Sequence, residues 1–410
     1  MGRSGAVTTP RDLRSGRPVW IGRGVPRLPV AALEKSIEVD VAVVGAGVSG
    51  ALVADALLQA GKSVAVLDRR GPVRGSTAAS TALLQFELDQ PLTILEGKVG
   101  RERAARGYWR SATAVDQLRD RITDLGLRCR FKERQTIYLP GNVLNTKELR
   151  AEAAARARIG LRSRYIDRDE LRALTLVERP GAILSAGAAE ADPVAMVAGL
   201  WRSALARGCA LYAPVEVVAV DCGRRQVTLG TDGGQEVRAE HAVFATGYEL
   251  LDLVKARGYR VVSTWAMATA PQPDRLWPSR CLIWEAADPY LYLRTTADGR
   301  IIVGGEDEPF ADEERRDALI PKKVASIGRK LGRLLPQVET RPAFAWAGCF
   351  GESVTGLPAI GPVPGAERCF AVMGYGGNGI TFSRIAAEMI RTRLTGGRDA
   401  DADLFAFAGR

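Results

Sequence analysis

Residues Val39-Asp40-Val41-Ala42-Val43-Val44-Gly45-Ala46-Gly47-Val48-Ser49-Gly50 decide the fold. Val39 to Val44 is the apolar run expected of a buried parallel strand. A glycine-rich turn follows, and then a helix from Ser49 to about Ala60. Gly61 ends that helix, and Ser63 to Leu67 reads as a second strand closed by Asp68. The unit is strand–helix–strand, the opening of a doubly wound sheet.

Gly45, Gly47 and Gly50 have the G-x-G-x-x-G spacing. The first makes the tight turn, the second lets backbone approach a pyrophosphate, and the third lets the helix pack on the strand. Free N–H groups at the helix N-terminus then face the phosphates. Asp68, at the end of the next strand, can accept from both hydroxyls of a ribose and repels a 2′-phosphate. The pattern predicts a bound dinucleotide. Two later segments favour FAD over NAD. Strand 240–247 follows a small meander and stops at Ala245-Thr246-Gly247. The segment Met373-Gly374-Tyr375-Gly376-Gly377-Asn378-Gly379-Ile380-Thr381 is a second glycine-rich turn opening a helix, placed to stabilise negative charge on a flavin.

Bulk properties narrow the alternatives. The 410 residues suit two domains sharing a site. The net charge of +10 comes mainly from arginine, since nine of the 57 basic residues are lysine. These residues are scattered without a basic run, which argues for a solvated surface and against nucleic acid. The six cysteines lack metal or redox spacing and read as free thiols. A single histidine, His241, argues against a histidine metal site or triad, and no metal is expected. There is no signal-peptide core and no apolar run long enough to span a membrane, so a cytoplasmic location is expected.

Helices are expected over 107–125, with Trp109, Ala112, Val115, Leu118 and Ile122 on the apolar face, over 193–207 behind an Asp192 cap, and from Asn378 to about Leu394. Strands are expected at Val215–Val220, Gln226–Leu229 and His241–Ala245. An antiparallel meander is expected from 261 to 305, turning at Asp298-Gly299. Residues 1–37 read as an irregular arm anchored by Trp20.

With Gly45–Gly50, Asp68, Gly75-Ser76-Thr77-Ala78-Ala79-Ser80-Thr81, Ala245-Thr246-Gly247, Trp346-Ala347-Gly348, Pro358-Ala359-Ile360-Gly361 and Gly374–Gly379 in view, the chain resembles the D-amino-acid-oxidase-like family of FAD-dependent oxidoreductases over about residues 38–395. The resemblance implies an α/β protein: a Rossmann-like FAD-binding domain of the GR2 type and a mixed, largely antiparallel β-sheet substrate domain. The FAD domain would comprise 38–85, 188–250 and 345–410, and the substrate domain 86–187 and 251–344. FAD would be held by Gly45, Gly47, Val48, Ser49, Gly50, Asp68, Arg69, Ser76, Thr77 and Thr81 on one side. Val215, Ala245, Thr246, Gly247, Gly348, Gly377, Asn378, Gly379, Ile380 and Thr381 would complete the set.

Two departures from the family stand out. The lysine that sarcosine-oxidase-like members place over the flavin matches Ile302, and no lysine lies between Lys255 and Lys322. The cysteine to which those members join the flavin matches Gly348, one residue before Cys349, so non-covalent FAD is expected. On the substrate side, Tyr290, Tyr292 and Arg294 alternate with Leu291 and Leu293. That face can offer aromatic walls and an arginine clamp for a carboxylate, or it can simply meet water. Trp265, Trp284 and Trp346 are further wall candidates, or core. The expected reaction is oxidation of the C–N bond of a small amine or amino acid by hydride transfer to flavin N5, with dioxygen or an electron carrier as acceptor. Rival readings are a non-catalytic or partner-dependent flavoprotein subunit and an RNA-modifying flavoenzyme.

Overall fold

The computed structural model describes residues 7–22, 24–254 and 258–407. The first six residues of the expected arm and the last three of segment 345–410 lie outside them. Two sheets organise the chain. In the smaller, Ile37–Val44 is central and runs parallel to Val64–Leu67 on one side and Glu236–Phe244 on the other. Ala210–Tyr212 extends the parallel order at one edge, Ala366–Met373 at the other, and Ala359–Val363 closes it antiparallel. The central strand is buried on both faces, as its apolar run requires. Helix Val48–Gln59 packs beside Pro193–Ala206 and Gly379–Leu394. The meander Val217–Cys222, Val227–Thr231 and Glu236–Phe244 hangs from the same sheet.

The larger sheet is antiparallel throughout except where Leu282–Glu285 runs parallel to Lys132–Leu139. The expected antiparallel meander is present in Leu282–Glu285, Leu291–Thr295 and Ile301–Glu308, with Tyr259–Thr269 paired to the last of them, and the parallel partner of Leu282–Glu285 is the unexpected element. A strand of only four residues finds its second partner from another part of the chain, which local alternation does not encode. Pro342–Ser353 pairs over its whole length with Tyr259–Thr269 in this sheet, so the division expected at 345 falls inside a strand. Helix Arg101–Asp124, expected with the sheet domain, packs mainly on Gly379–Leu394 and also touches Gly181–Glu190 of the larger sheet. Its buried stripe is Ala104, Gly107, Tyr108, Ser111, Ala114, Val115, Leu118 and Ile122. Trp109 is 46% exposed, with Nε1 donating to the Ile159 carbonyl, and Tyr108 takes the core position assigned to it.

The arm is irregular over most of its described length but carries two short elements. Arg14–Gly16 adds an edge strand against Trp346–Gly348, and a 3₁₀ turn follows at Val19–Ile21. Trp20 Nε1 donates to the Ser80 carbonyl at 2.6 Å, which is the expected anchor. Among the described residues no helix is long and apolar enough to cross a membrane.

Candidate active site

A cleft runs along the C-terminal ends of the parallel strands, the usual ligand position in such sheets. Its inner half is lined by Gly45, Gly47, Val48, Ser49, Asp68, Arg69, Ser76, Thr77, Val215, Ala245, Thr246 and Gly247. Gly47 caps helix Val48–Gln59 without a side chain, leaving its first N–H groups open to a ligand, except that Val48 donates to Thr77 Oγ1 at 3.1 Å. This is a cradle of donors and partial positive charge, and a diphosphate fits it. Asp68 also organises the loop. Its oxygens accept from the N–H groups of Ala46, Arg70 and Gly71 at 2.7, 2.8 and 2.7 Å. Burial outweighs those bonds and holds the carboxyl above its usual range. Arg69 faces Glu216 and Glu249 in ion pairs, and Val215 donates its N–H to the Asp68 carbonyl at 3.0 Å.

The outer half is a chamber open to solvent at its mouth. Loop residues Ser76, Thr77 and Thr81 form one wall, and Gly348 with Gly377, Asn378, Gly379 and Ile380 form another. Tyr248, Tyr290, Tyr292 and Trp284 supply aromatic faces. Tyr292 lies flat on Gly304, where a β-carbon would stand 2.3 Å from its ring. Trp284 stacks on Tyr138 at 3.8 Å. Three polar atoms lining the chamber, Gln85 Oε1, Thr264 Oγ1 and Trp284 Nε1, are sealed from water and lack a protein partner. Such orphans mark a space built for a polar ligand. The two halves share Val48, Ser76 and Thr77, so one extended dinucleotide fits both.

Three expected site residues do not line the cleft. Gly50 lies behind the turn, where its missing side chain lets the helix meet the Gly45 carbonyl. Thr381 turns its hydroxyl to the Gln85 carbonyl at 3.1 Å. Arg294 is the substantive correction. It shares a face with Tyr292, but two residues of strand rise carry it past Trp20, whose ring it covers at 5.0 Å. There it donates to the Ala191 carbonyl at 2.9 Å and stands 3.8 Å from Glu190. Trp265 and Trp346 are core, bonded through Nε1 to the carbonyls of Arg316 and Ala79. Cys349 Sγ faces the arm, 3.8 Å from the Leu13 carbonyl, and burial pushes its thiol up to about 11.

Residues missed in the sequence include Gln85, Asp89, Tyr248, Thr264 and Asp307. Asp89 accepts from the Gly377 N–H at 2.7 Å, while Asn378 donates to the Glu87 carbonyl, tying segment 85–89 to the second glycine turn. Both oxygens of Asp307 are sealed from water, with only the Thr264 hydroxyl beside them. Burial raises Asp307 to about 7 and Asp89 to about 6. Nothing local in the sequence marks these groups, because the segments carrying them meet only in the fold.

Fold and site together define a flavin-dinucleotide oxidoreductase. The family model described as FAD dependent oxidoreductase (DAO) matches residues 40–393, and the chain belongs to that family. It is therefore an FAD-dependent enzyme. It is 24% identical over 371 residues to glycine oxidase of Bacillus licheniformis, covering 87% of this chain and 93% of that protein. It is 23% identical over 394 residues to gamma-glutamylputrescine oxidoreductase of Escherichia coli K12, covering 93% and 88%. Its fold matches the crystal structure of glycine oxidase from Geobacillus kaustophilus with a TM-score of 0.75 at 20% identity, over 91% of this chain and 99% of that one.

Proposed function

We propose that the enzyme oxidises the carbon–nitrogen bond of a small amine or amino acid. The observation that carries this reading is the aromatic chamber, which continues directly from the dinucleotide cleft and contains unpartnered polar atoms. FAD, when bound, supplies the two-electron sink, taking the hydrogen and electron pair from the carbon beside nitrogen at its N5. The nitrogen reacts as a neutral amine, having released its proton to water, and its lone pair closes the C=N bond. Water then splits the imine to a carbonyl compound and a free amine. Tyr290, Tyr292 and Tyr248 exclude water from the reacting carbon, and Gln85 Oε1 and Thr264 Oγ1 orient the nitrogen by accepting its N–H. The uncapped helix N-terminus at Gly47 and the turn at Gly377–Gly379 fix the cofactor. The acceptor of the second half-reaction is dioxygen or an electron carrier.

The test is anaerobic bleaching of the flavin absorbance of purified holoenzyme by a panel of amines and amino acids, followed by admission of air. Bleaching by at least one of them is expected. A flavin that no amine or amino acid reduces sinks the reading.

A further inference from the structure

Amino acids present a carboxylate to their enzymes, and an arginine or lysine ordinarily answers it. Among the described residues lining the chamber there is no arginine, lysine or histidine. Arg294, the one cation on the tyrosine strand, is spent on Ala191 and Glu190. What faces the chamber's mouth has the opposite sign. A recess opens outward from it, sharing Asp89, Tyr290 and Gly376, and is also lined by four further acids, Asp288, Asp307, Glu308 and Glu352, against two cations, Lys98 and Arg260.

Not all of this negative charge is free. Arg260 takes up Glu352 at 2.7 Å, and Lys323 takes up the neighbouring Glu308 at 2.6 Å. Asp89, Asp288 and Asp307 have no cationic partner among the described residues. Asp307 is the sharpest case, because burial strips its carboxylate of water and leaves it only the Thr264 hydroxyl as a neighbouring donor, with no cation. A buried acceptor in that state is costly unless something else satisfies it. The rings of Tyr290 and Tyr292 pack together with centroids 5.3 Å apart, and Tyr290 lines both chamber and recess. Carboxylates behind aromatic faces are the chemistry that recognises an ammonium group, through charge pairing and the attraction of a cation to a ring face.

We propose that the substrate is a diamine or polyamine without a carboxylate, oxidised at one nitrogen in the chamber while Asp307 holds a second ammonium in the recess. The proposal rests on the amine-oxidation reading and adds the charge class of the substrate. The distal ammonium is chemically unchanged by the reaction and serves only to bind and orient. Its arrival would supply the missing partner and draw the raised pKa of Asp307 back down. An amino acid would bring its carboxylate into a recess where acids outnumber the two cations, Arg260 being taken up by Glu352 and Lys98 by Gln90 Oε1 at 2.9 Å.

The experiment follows anaerobic flavin reduction in the holoenzyme by putrescine, spermidine, butylamine, glycine and sarcosine. Putrescine or spermidine should reduce the flavin with a second-order constant about tenfold or more above that of butylamine, and the amino acids should fall below all three. In Asp307→Asn the ratio of putrescine to butylamine should fall about tenfold, with butylamine changed by less than about threefold. Because that ratio is taken within one preparation, partial misfolding cancels. A second measurement needs no variant: the bis-quaternary hexamethonium should inhibit the wild-type enzyme at about one-tenth the concentration of tetramethylammonium. Glycine or sarcosine as the best reductant, an unchanged ratio in Asp307→Asn, or equal inhibition by the two quaternary ions would each overturn the proposal while leaving amine oxidation standing. Failure of every compound to bleach the flavin overturns the reading beneath it.

Discussion

A β-carbon added at Gly50 would stand 1.9 Å from the Gly45 carbonyl oxygen, whereas one at Gly47 would meet only Thr77 Oγ1 at 3.3 Å. The fingerprint glycines therefore fail differently when replaced. Gly50→Ala forces helix from strand and should lower the melting temperature or yield insoluble protein. Gly47→Leu should fold, as judged by circular dichroism, yet purify colourless, because the side chain enters the space of the pyrophosphate. A yellow Gly47→Leu protein would mean that the cleft has been misassigned. Asp307 makes a prediction about pH. Its folded pKa of about 7 lies above the usual 3.8, so the folded state binds more protons than the unfolded one between those values. Stability contributed by this group is therefore lost as pH rises from about 4 to about 7. Asp307→Asn should be more stable than wild type at pH 8, by roughly 1–3 kcal/mol, and equal to it at pH 4. Denaturant melts of ligand-free protein at the two pH values measure this, and an equal difference at both would refute the assignment.

At the scale of elements, the strand Leu291–Thr295 shows how far alternation can be taken. Tyr292 and Arg294 do share a face, and Leu291 and Leu293 are buried on the other. What alternation cannot encode is that the face passes from one cavity to another, with Trp20 of the arm between them. Arg294→Met should therefore leave the KM of any substrate within about threefold while destabilising the fold by about 1–3 kcal/mol, because Glu190 retains Arg134 at 2.9 Å. A large rise in KM with unchanged melting would restore Arg294 as a clamp. The strand–turn–helix around Gly45–Gly50 was legible because its chemistry is local, and so was the turn before helix Gly379–Leu394. The arm strand, the parallel pairing of Leu282–Glu285 and the placing of Asp89 and Asp307 were not. Each depends on partners more than a hundred residues away, or on which neighbours a carboxylate happens to lack.

For the whole molecule, the placing of charge bears on the second half-reaction. Dioxygen reduction passes through a charge-separated state that a nearby cation stabilises. Ile302 is fully buried among Ala266, Ala268 and Trp346, and Arg300 is held by Asp298 and the Thr269 carbonyl, away from the chamber. Reduced enzyme should reoxidise in air at least about tenfold more slowly than an artificial acceptor dye reoxidises it. Stopped-flow mixing with oxygenated buffer decides this, since reoxidation as fast as turnover would mark an oxidase. The arm, finally, ties the two sheets across the cleft. Val7 and Thr8 bond to the backbone around Leu251 and Asp252, and Arg11 N–H donates to Glu249. Arg14–Gly16 then joins the large sheet, and Trp20 reaches Ser80. Val7, Thr8 and Leu13 meanwhile line the inner half of the cleft itself. If a cofactor seated beneath this strap leaves past it, its residence time should depend on local unfolding of the strap as well as on its affinity. Exchange of bound FAD for a labelled analogue should consequently speed up in low denaturant well before the protein melts.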